Sequence, residues 1–234
     1  MDGFLLYCNI QELDRNAYKV PIGLIERGTV TERHEGTIRG YLQRSAEIMR
    51  LLDGQVPKVA EIVSMLGKAR ERGSTIFIMG NGGSASTASH MANDLNKTAG
   101  KPEGKRFKMM AITDNVPIML AIGNDISYDD IFVEQLKNFL EKDDVVIGLS
   151  GSGNSKNVLK AMEYANSKGA YTIGLTAMGG GKLSQLAKLS IVIPDGTQVG
   201  SVPQGGLDGR MQRAEDMHLM LTHIMVLTLR NGEP

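Results

Sequence analysis

Short runs of apolar residues alternate with longer amphipathic segments along most of the chain. The apolar runs lie at 75–79, 108–112, 145–149, 171–175 and 190–194. Runs this continuous are typical of strands that are buried on both faces. The segments at 84–97, 130–141, 155–167 and 211–230 have the length and period of helices. Strands that alternate with helices form parallel sheets, so the pattern predicts an α/β fold, a three-layer αβα sandwich around a central five-stranded parallel sheet.

Two further amphipathic segments precede the first strand. From Thr37 to Leu52 apolar residues recur at three- and four-residue spacings, and a second such segment follows Pro57 and ends at Gly73. Both are predicted to be helices. Residues 1–36 show no clear period, so we expect an irregular N-terminal arm there, and a single domain over residues 37–234.

Charge and cysteine content narrow the possible partners and compartments. Lys plus Arg and Asp plus Glu each total 26, and this zero net charge removes the attraction on which non-specific nucleic-acid binding depends. Cys8 is the single cysteine, so no intrachain disulfide can form. The chain also has no apolar stretch long enough for a signal-peptide core or a membrane span. We therefore expect a cytoplasmic protein that binds neither nucleic acid nor membrane.

Two loops rich in glycine and serine join predicted strands to predicted helices. GNGGSAS at 80–86 follows the first strand, and SGSGNS at 150–155 follows the third. Glycines let the backbone approach a ligand, and the free amides of a helix start attract anions. Either loop alone is equally well explained as a tight turn, and neither matches a dinucleotide fingerprint or a nucleotide P-loop. Together they predict a site for a phosphate or a phosphorylated sugar.

Ionisable residues are concentrated in two of the predicted helices. His90 and Asp94 lie one turn apart on the helix that GNGGSAS opens, and the final helix carries Glu215, Asp216, His218 and His223. Such a set is suited to general acid and base catalysis or to a divalent metal, and spacing alone does not choose between them. The alternative is that His90 bonds in the interior and Asp94 is a surface acid. His218 points to another face, which favours a structural role or a contact between subunits.

Four motifs resemble the sugar isomerase (SIS) domain family, and specifically its phosphoheptose isomerase branch. They are GNGGSASTASHMANDL, AITDN followed by IGNDISYDDIF, GLSGSGNSKNVLKA and AEDMHLMLTHI, and the resemblance covers roughly residues 37–230. It implies an SIS-type, flavodoxin-like fold and a homotetramer whose active sites are shared between subunits. It also implies the aldose–ketose isomerisation of sedoheptulose 7-phosphate to D-glycero-D-manno-heptose 7-phosphate through an enediolate, a step in making the heptose of lipopolysaccharide.

The resemblance also assigns roles to individual residues. Phosphate would be held by Ser84 and by the loop that contains Ser150, Gly151, Ser152 and Ser155. Asn81 and Asp114 would lie near the sugar, and the substrate-binding set would also include Gly82, Gly83, Asp94 and Glu215. Asp94 would be the general base and His223 the second acid or base. Zinc would be bound by His90, Asp94, Glu215 and His223.

Two positions depart from the family pattern. Asp94 stands where the family has glutamate, and Glu215 stands where it has glutamine, so the pocket is richer in carboxylates. Two alternatives follow: an isomerase of another ketose phosphate, or a non-catalytic SIS protein that binds a phosphosugar or a replication initiator. A pure binding protein has no need of Asp94 and His223 beside the ligand, and their presence favours an enzyme.

Overall fold

The computed structural model describes residues 30–97, 104–194 and 209–231. The helices are α1 (Val30–Leu51), α2 (Val56–Arg72), α3 (Gly83–Lys97), α4 (Val116–Asp125), α5 (Val133–Phe139), α6 (Lys156–Ser167), α7 (Leu183–Leu186) and α8 (Arg210–Asn231). The strands are β1 (Thr75–Met79), β2 (Lys108–Ala111), β3 (Val145–Ser150), β4 (Tyr171–Thr176) and β5 (Leu189–Val192). Short 3₁₀ helices cover Leu52–Gln55 and Tyr128–Asp130. The chain divides into the units Met1–Gly40 and Tyr41–Pro234, and the described part of the first is helical.

The strands form one parallel sheet in the order β2-β1-β3-β4-β5. This is the flavodoxin-like order, and the predicted fold class is confirmed. Every residue of β3 is buried, and so are all residues of β4 but the first. Continuous burial of this kind is the reason that these strands read as unbroken apolar runs.

Side chains of β1 alternate between two hydrophobic cores. Ile76 and Ile78 pack into a cluster with α2, α3 and α8, whereas Phe77 and Met79 pack into a second cluster with α5 and α6. Successive side chains of a strand point to opposite faces, so the sheet separates two helical layers. None of the helices in the described ranges combines the length and the apolar character needed to cross a membrane.

The observed elements differ from the predicted ones mainly near helices. Helix α1 covers residues 30–36 as well, so that part of the predicted irregular arm is helical; the rest of the arm lies outside the described residues. Helix α4 was not predicted, and Asn115 caps it by accepting a hydrogen bond from the Ile118 amide at 3.3 Å. The predicted helix at 130–141 is shorter and covers Val133–Phe139. The domain boundary at residue 37 stays a prediction.

We expect Gly148→Ala to destabilise the protein, because strand β3 passes close to α6 at Gly148. A Cβ there would lie 2.9 Å from Val158 Cγ1 and 3.2 Å from Met162 Sδ. Overpacking of this kind costs about 2 kcal/mol, or a fall in Tm of about 6 °C. Thermal unfolding followed by circular dichroism measures it.

Gly67→Ala is the matched control, since its Cβ would meet only Leu229 Cδ2, at 3.8 Å. Its higher helix propensity should leave Tm unchanged or raise it. Equal melting of wild-type and Gly148→Ala protein would contradict the packing argument.

Candidate functional site

The two glycine-rich loops lie side by side at the carboxyl edge of the sheet, because β1 and β3 are neighbouring parallel strands. Together with α8 they enclose a cavity of about 250 Å³, which we call the cradle. Its lining comprises Asn81, Gly82, Gly83, Ser84, Leu149, Ser150, Gly151, Ser152, Ser155, Met211 and Glu215. The structure therefore brings the predicted phosphate-binding residues together.

Hydrogen-bond donors face the cradle from both loops. The amides of Gly82 and Gly83, at the start of α3, donate to no group within the described residues. The Ser150 hydroxyl lies 3.0 Å from the Ser155 hydroxyl and 3.5 Å from that of Ser152. Ser155 precedes α6, but its side chain does not cap that helix. Amides at a helix start and a group of hydroxyls are together suited to an anion.

The loop after β3 is braced by residues that follow β4. The Leu183 amide donates to the Gly153 carbonyl at 2.9 Å, and the Ala177 amide donates to the Gly151 carbonyl at 3.0 Å. Gly153 has a φ of +66°, and a Cβ there would lie 2.0 Å from the Gly180 carbonyl oxygen. Sequence analysis missed this brace, although three consecutive glycines at 179–181 are a signal of close backbone contact.

The side-chain amide of Asn81 is held by two residues that sequence analysis did not identify. It exchanges two hydrogen bonds of 2.9 Å with the amide of Asn157, and its Oδ1 also accepts from the Tyr128 hydroxyl at 2.9 Å. Asn157 is buried on α6. A polar residue at a core-facing position of an amphipathic helix is the signal that could have indicated it.

Glu215 reaches the cradle from α8 and packs directly on the backbone of α3. A Cβ on Gly83 would lie 2.4 Å from the Glu215 carboxyl carbon, so a larger residue at position 83 would displace the Glu215 carboxyl group. Burial raises the pKa of Glu215, and the neighbouring charge of Asp216 raises it further. The cradle therefore contains one carboxyl group of its own, at the amide end of a helix where an anion is favoured.

His90, Asp94 and His223 form a second group, which we call the His–Asp cluster. The two Nε2 atoms of His90 and His223 are 2.9 Å apart. The Asp94 Oδ2 atom lies 3.4 Å from His90 Nε2 and 3.8 Å from His223 Nε2. The i,i+4 pair on α3 thus faces a histidine of α8, and all three side chains remain accessible to solvent.

These distances suit a bound metal ion. Zinc bonds to histidine nitrogen at about 2.0 Å, so two ligands of a tetrahedral site lie about 3.3 Å apart. The three observed separations bracket that value. Glu215, the fourth residue assigned to zinc by the resemblance, does not join the cluster. The donor atoms of His90, Asp94 and His223 therefore fit a zinc ion, with Glu215 held at Gly83.

Two acidic residues, Asp114 and Asp216, lie outside both the cradle and the His–Asp cluster. Asp114, expected near the sugar, accepts a hydrogen bond from the Ser89 hydroxyl and lines a separate groove beside β2. Asp216 is exposed and accepts a hydrogen bond from the Tyr41 hydroxyl. Burial and this bond raise the pKa of Tyr41 to about 12. Neither carboxylate lines the cradle.

His218 is completely buried, away from the other histidines of the site. Its Nε2 atom lies 3.1 Å from the Thr176 carbonyl oxygen and donates to it, while Nδ1 has no partner among the described residues. Burial lowers the pKa of His218 to about 4, and the bond to Thr176 offsets part of the effect. The side chain is therefore neutral at physiological pH and has a structural role.

Comparisons with known proteins agree on one family. The SIS domain profile matches residues 40–177. The phosphoheptose isomerase of Rhodospirillum rubrum is 36% identical over 197 residues, which are 82% of this chain and 94% of that protein. The phosphoheptose isomerase of Geobacter metallireducens is 32% identical over 83% of this chain and 96% of its own. The structure of phosphoheptose isomerase GmhA from Neisseria gonorrhoeae superimposes with a TM-score of 0.69, at 26% identity, over 86% of this chain and 98% of that one.

The buried His218 predicts a loss of stability in acid. The unfolded histidine takes up a proton below pH 6.5, but the folded one does so only near pH 4. Stability is therefore full above pH 6.5 and is lost as the pH falls toward 4, by about 2 kcal/mol at pH 5. Denaturant unfolding at pH 7 and pH 5 measures the difference.

His218→Gln should unfold with a smaller difference between the two pH values, while the exposed His34→Gln should behave like wild-type protein. If all three proteins lost the same stability between pH 7 and pH 5, the linkage to His218 would be wrong.

Proposed function

The chain belongs to the SIS domain family and, within it, to the phosphoheptose isomerases, as its motifs predicted. On this premise we propose that it converts sedoheptulose 7-phosphate into D-glycero-D-manno-heptose 7-phosphate in the cytoplasm. One observation carries the proposal: the cradle and the His–Asp cluster lie along the same helix pair, α3 and α8. From Gly83 to His90 the helix rises about 10 Å. An extended seven-carbon sugar phosphate can span that distance.

The reaction moves one proton between C1 and C2 and another between their oxygen atoms. In our proposal the Asp94 carboxylate removes the carbon-bound proton and returns it to the neighbouring carbon. His223 gives a proton to one oxygen and accepts a proton from the other, so that the enediolate passes to the aldose with no net change in protons. The reactive atoms of Asp94 and His223 are 3.8 Å apart, which lets both reach adjacent atoms of one substrate.

We further propose that His90, Asp94 and His223 hold a zinc ion. Because one nitrogen lone pair cannot bind the ion and a proton at the same time, His223 acts on the substrate oxygens only while its Nε2 atom is not bound to the ion, and Asp94 acts through its second carboxylate oxygen. When bound, zinc supplies Lewis-acid stabilisation of the negative charge that develops on the substrate oxygen. Glu215 stays a predicted fourth ligand. To reach the ion, its carboxylate has to leave the backbone of Gly83, where the structure places it.

Assembly into a homotetramer is supported by an apolar groove between α1, α2 and α8. The groove has a volume of about 720 Å³, and Met49, Val56 and Ile224 in its walls are 43%, 56% and 40% exposed in the single chain. Surfaces of this kind are typical of contacts between subunits. Part of the predicted apolar stripe of α1 thus points away from the core, as a helix between subunits requires.

A different ketose phosphate is the second candidate substrate. Glu215 lies in the cradle, where its carboxyl group can accept hydrogen bonds from sugar hydroxyls and so select among sugars. The convergence of His90, Asp94 and His223 supports catalysis over simple binding.

We expect Asp94→Asn to abolish isomerisation and to leave substrate binding nearly unchanged. Loss of the base should lower kcat by at least about 100-fold, because general base catalysis contributes that much or more. Incubation with sedoheptulose 7-phosphate in heavy water, with zinc supplied, follows both the aldose and deuterium at C1 or C2 by NMR.

Asp143→Asn is the matched control, because Asp143 lies in the turn before β3, at the opposite end of the sheet from the cradle. It should retain wild-type turnover. Loss of sugar phosphate binding in Asp94→Asn would assign Asp94 a role in binding or folding instead, and an active Asp94→Asn enzyme would exclude it as the base.

We expect the purified protein to contain zinc, and its isomerase activity to fall on chelation and to return on addition of zinc. His90→Ala should lower the zinc content measured by mass spectrometry, because it removes one of the three convergent ligands. The exposed His34→Ala should keep the wild-type content. Activity that is indifferent both to the chelator and to added zinc would remove the metal from the proposal.

A further inference from the structure

We propose that Asn157 and Tyr128 are positioning residues, which fix the side-chain amide of Asn81 so that its unused N–H donates to an anion in the cradle. The inference rests on the proposed function in one respect, namely that the cradle holds the phosphate. It adds two residues, from α6 and from the short 3₁₀ helix Tyr128–Asp130, to which the motifs assign no role.

The orientation of the Asn157 amide is set by the protein backbone. The Val158 amide donates to Asn157 Oδ1 at 2.9 Å. A backbone N–H can only donate, so the atom that faces it must be the oxygen. The Asn157 Nδ2 group is thereby turned toward Asn81.

The orientation of Asn81 follows from that of Asn157. Asn157 Nδ2 needs an acceptor, so the Asn81 atom 2.9 Å away is Oδ1, and the reciprocal bond runs from Asn81 Nδ2 to Asn157 Oδ1. Each oxygen then accepts two hydrogen bonds, which is its full capacity. One hydrogen of Asn81 Nδ2 remains without an acceptor in the part of the chain that the structure describes.

Tyr128 is the second residue that holds the Asn81 side chain. Its hydroxyl donates to Asn81 Oδ1 at 2.9 Å, and its side chain lines a second cavity, of about 510 Å³, that shares Asn81 and Gly82 with the cradle. The short 3₁₀ helix that carries Tyr128 is tied to α6 by Lys160 and Asp130, whose Nζ and Oδ1 atoms are 2.7 Å apart. Helix α6 therefore holds both residues that act on Asn81.

The orientation of the Asn81 side-chain amide decides whether it attracts or repels a phosphate. An asparagine side chain can present either its oxygen or its amide group, and rotation exchanges the two. Presenting the oxygen would repel a phosphate, and presenting N–H attracts it. The bonds from Asn157 and Tyr128 both occupy the oxygen, so the amide group is the part left for the ligand.

The test is the dissociation constant of inorganic phosphate, measured by ³¹P NMR line broadening on the full-length protein. Asn157→Leu removes the amide with little change in size and adds no charge. We expect it to raise the Kd about 10-fold, as for the loss of a hydrogen bond to a charged group, and Tyr128→Phe to raise it about 3-fold, as for the loss of a neutral hydrogen bond. Asn138→Leu and Tyr164→Phe, which remove the same groups elsewhere, should leave the Kd unchanged.

A double-mutant cycle separates positioning from a general loss of structure. If Asn157 acts through Asn81, Asn157→Leu should weaken phosphate binding no further in a protein that already carries Asn81→Ala. With sedoheptulose 7-phosphate, Tyr128→Phe should raise KM while kcat changes less than about 2-fold. Additive effects of the two substitutions, or a fall in kcat alone, would overturn the inference.

The same experiments distinguish this inference from the proposed function. Wild-type protein that binds phosphate and shows the expected cycle, but does not turn over sedoheptulose 7-phosphate, would refute the isomerase and retain the positioning role. Wild-type protein that binds no phosphate would overturn the positioning role and the cradle together. Tyr128→Phe with wild-type affinity would contradict the role of the tyrosine hydroxyl.

Discussion

The parallel pairing of β1 with β3 is the constraint on which the site depends. The two strands are in register from Ile76 opposite Val145 to Met79 opposite Gly148, so both end at the same edge of the sheet. β2 lies beyond β1 and β4 lies beyond β3, and the strand order reverses at this pair. Ligands of open α/β sheets bind at such a reversal. Because of this pairing, two loops that are each weak anion sites share one cavity.

Helices set the distance between the cradle and the His–Asp cluster. Helix α3 begins in the cradle and carries His90 and Asp94 further along, and α8 packs beside it with Glu215 and His223. Hydrogen-bonded helices packed against a core change length little, so the spacing does not depend on loop conformation. In the proposed function, recognition of a phosphate in the cradle thereby positions the rest of the substrate at the His–Asp cluster.

The fold was largely predictable because its three central strands, β1, β3 and β4, are buried on both faces and read as unbroken apolar runs. Helix α4 was not, since Val116 and Leu120 are exposed and the segment lacks a one-sided apolar pattern. The spacing of His90 and Asp94 predicted that they share a face, but the approach of His223 is a tertiary contact that no spacing within one helix reveals.

The position of Glu215 could not be predicted from the motifs. Glu215 and His223 are eight residues apart, which is about 12 Å along a helix. At that distance from His223, the Glu215 carboxylate lies against Gly83 and outside the His–Asp cluster. The pairing of the Asn81 and Asn157 amides could not be predicted either, because it joins a loop residue to a helix residue that is distant in the sequence.

The brace behind the loop of β3 has a consequence for how genetic variation in this chain should be interpreted. Gly180 contacts Gly153 through its carbonyl oxygen, yet it lines no part of the cradle. A side chain at position 153 would push the two loops apart and carry the serine hydroxyls with them. Inherited or selected changes at the 153–180 contact would therefore present as defects in ligand recognition, and a map of harmful variants would extend to a loop with no catalytic group in it.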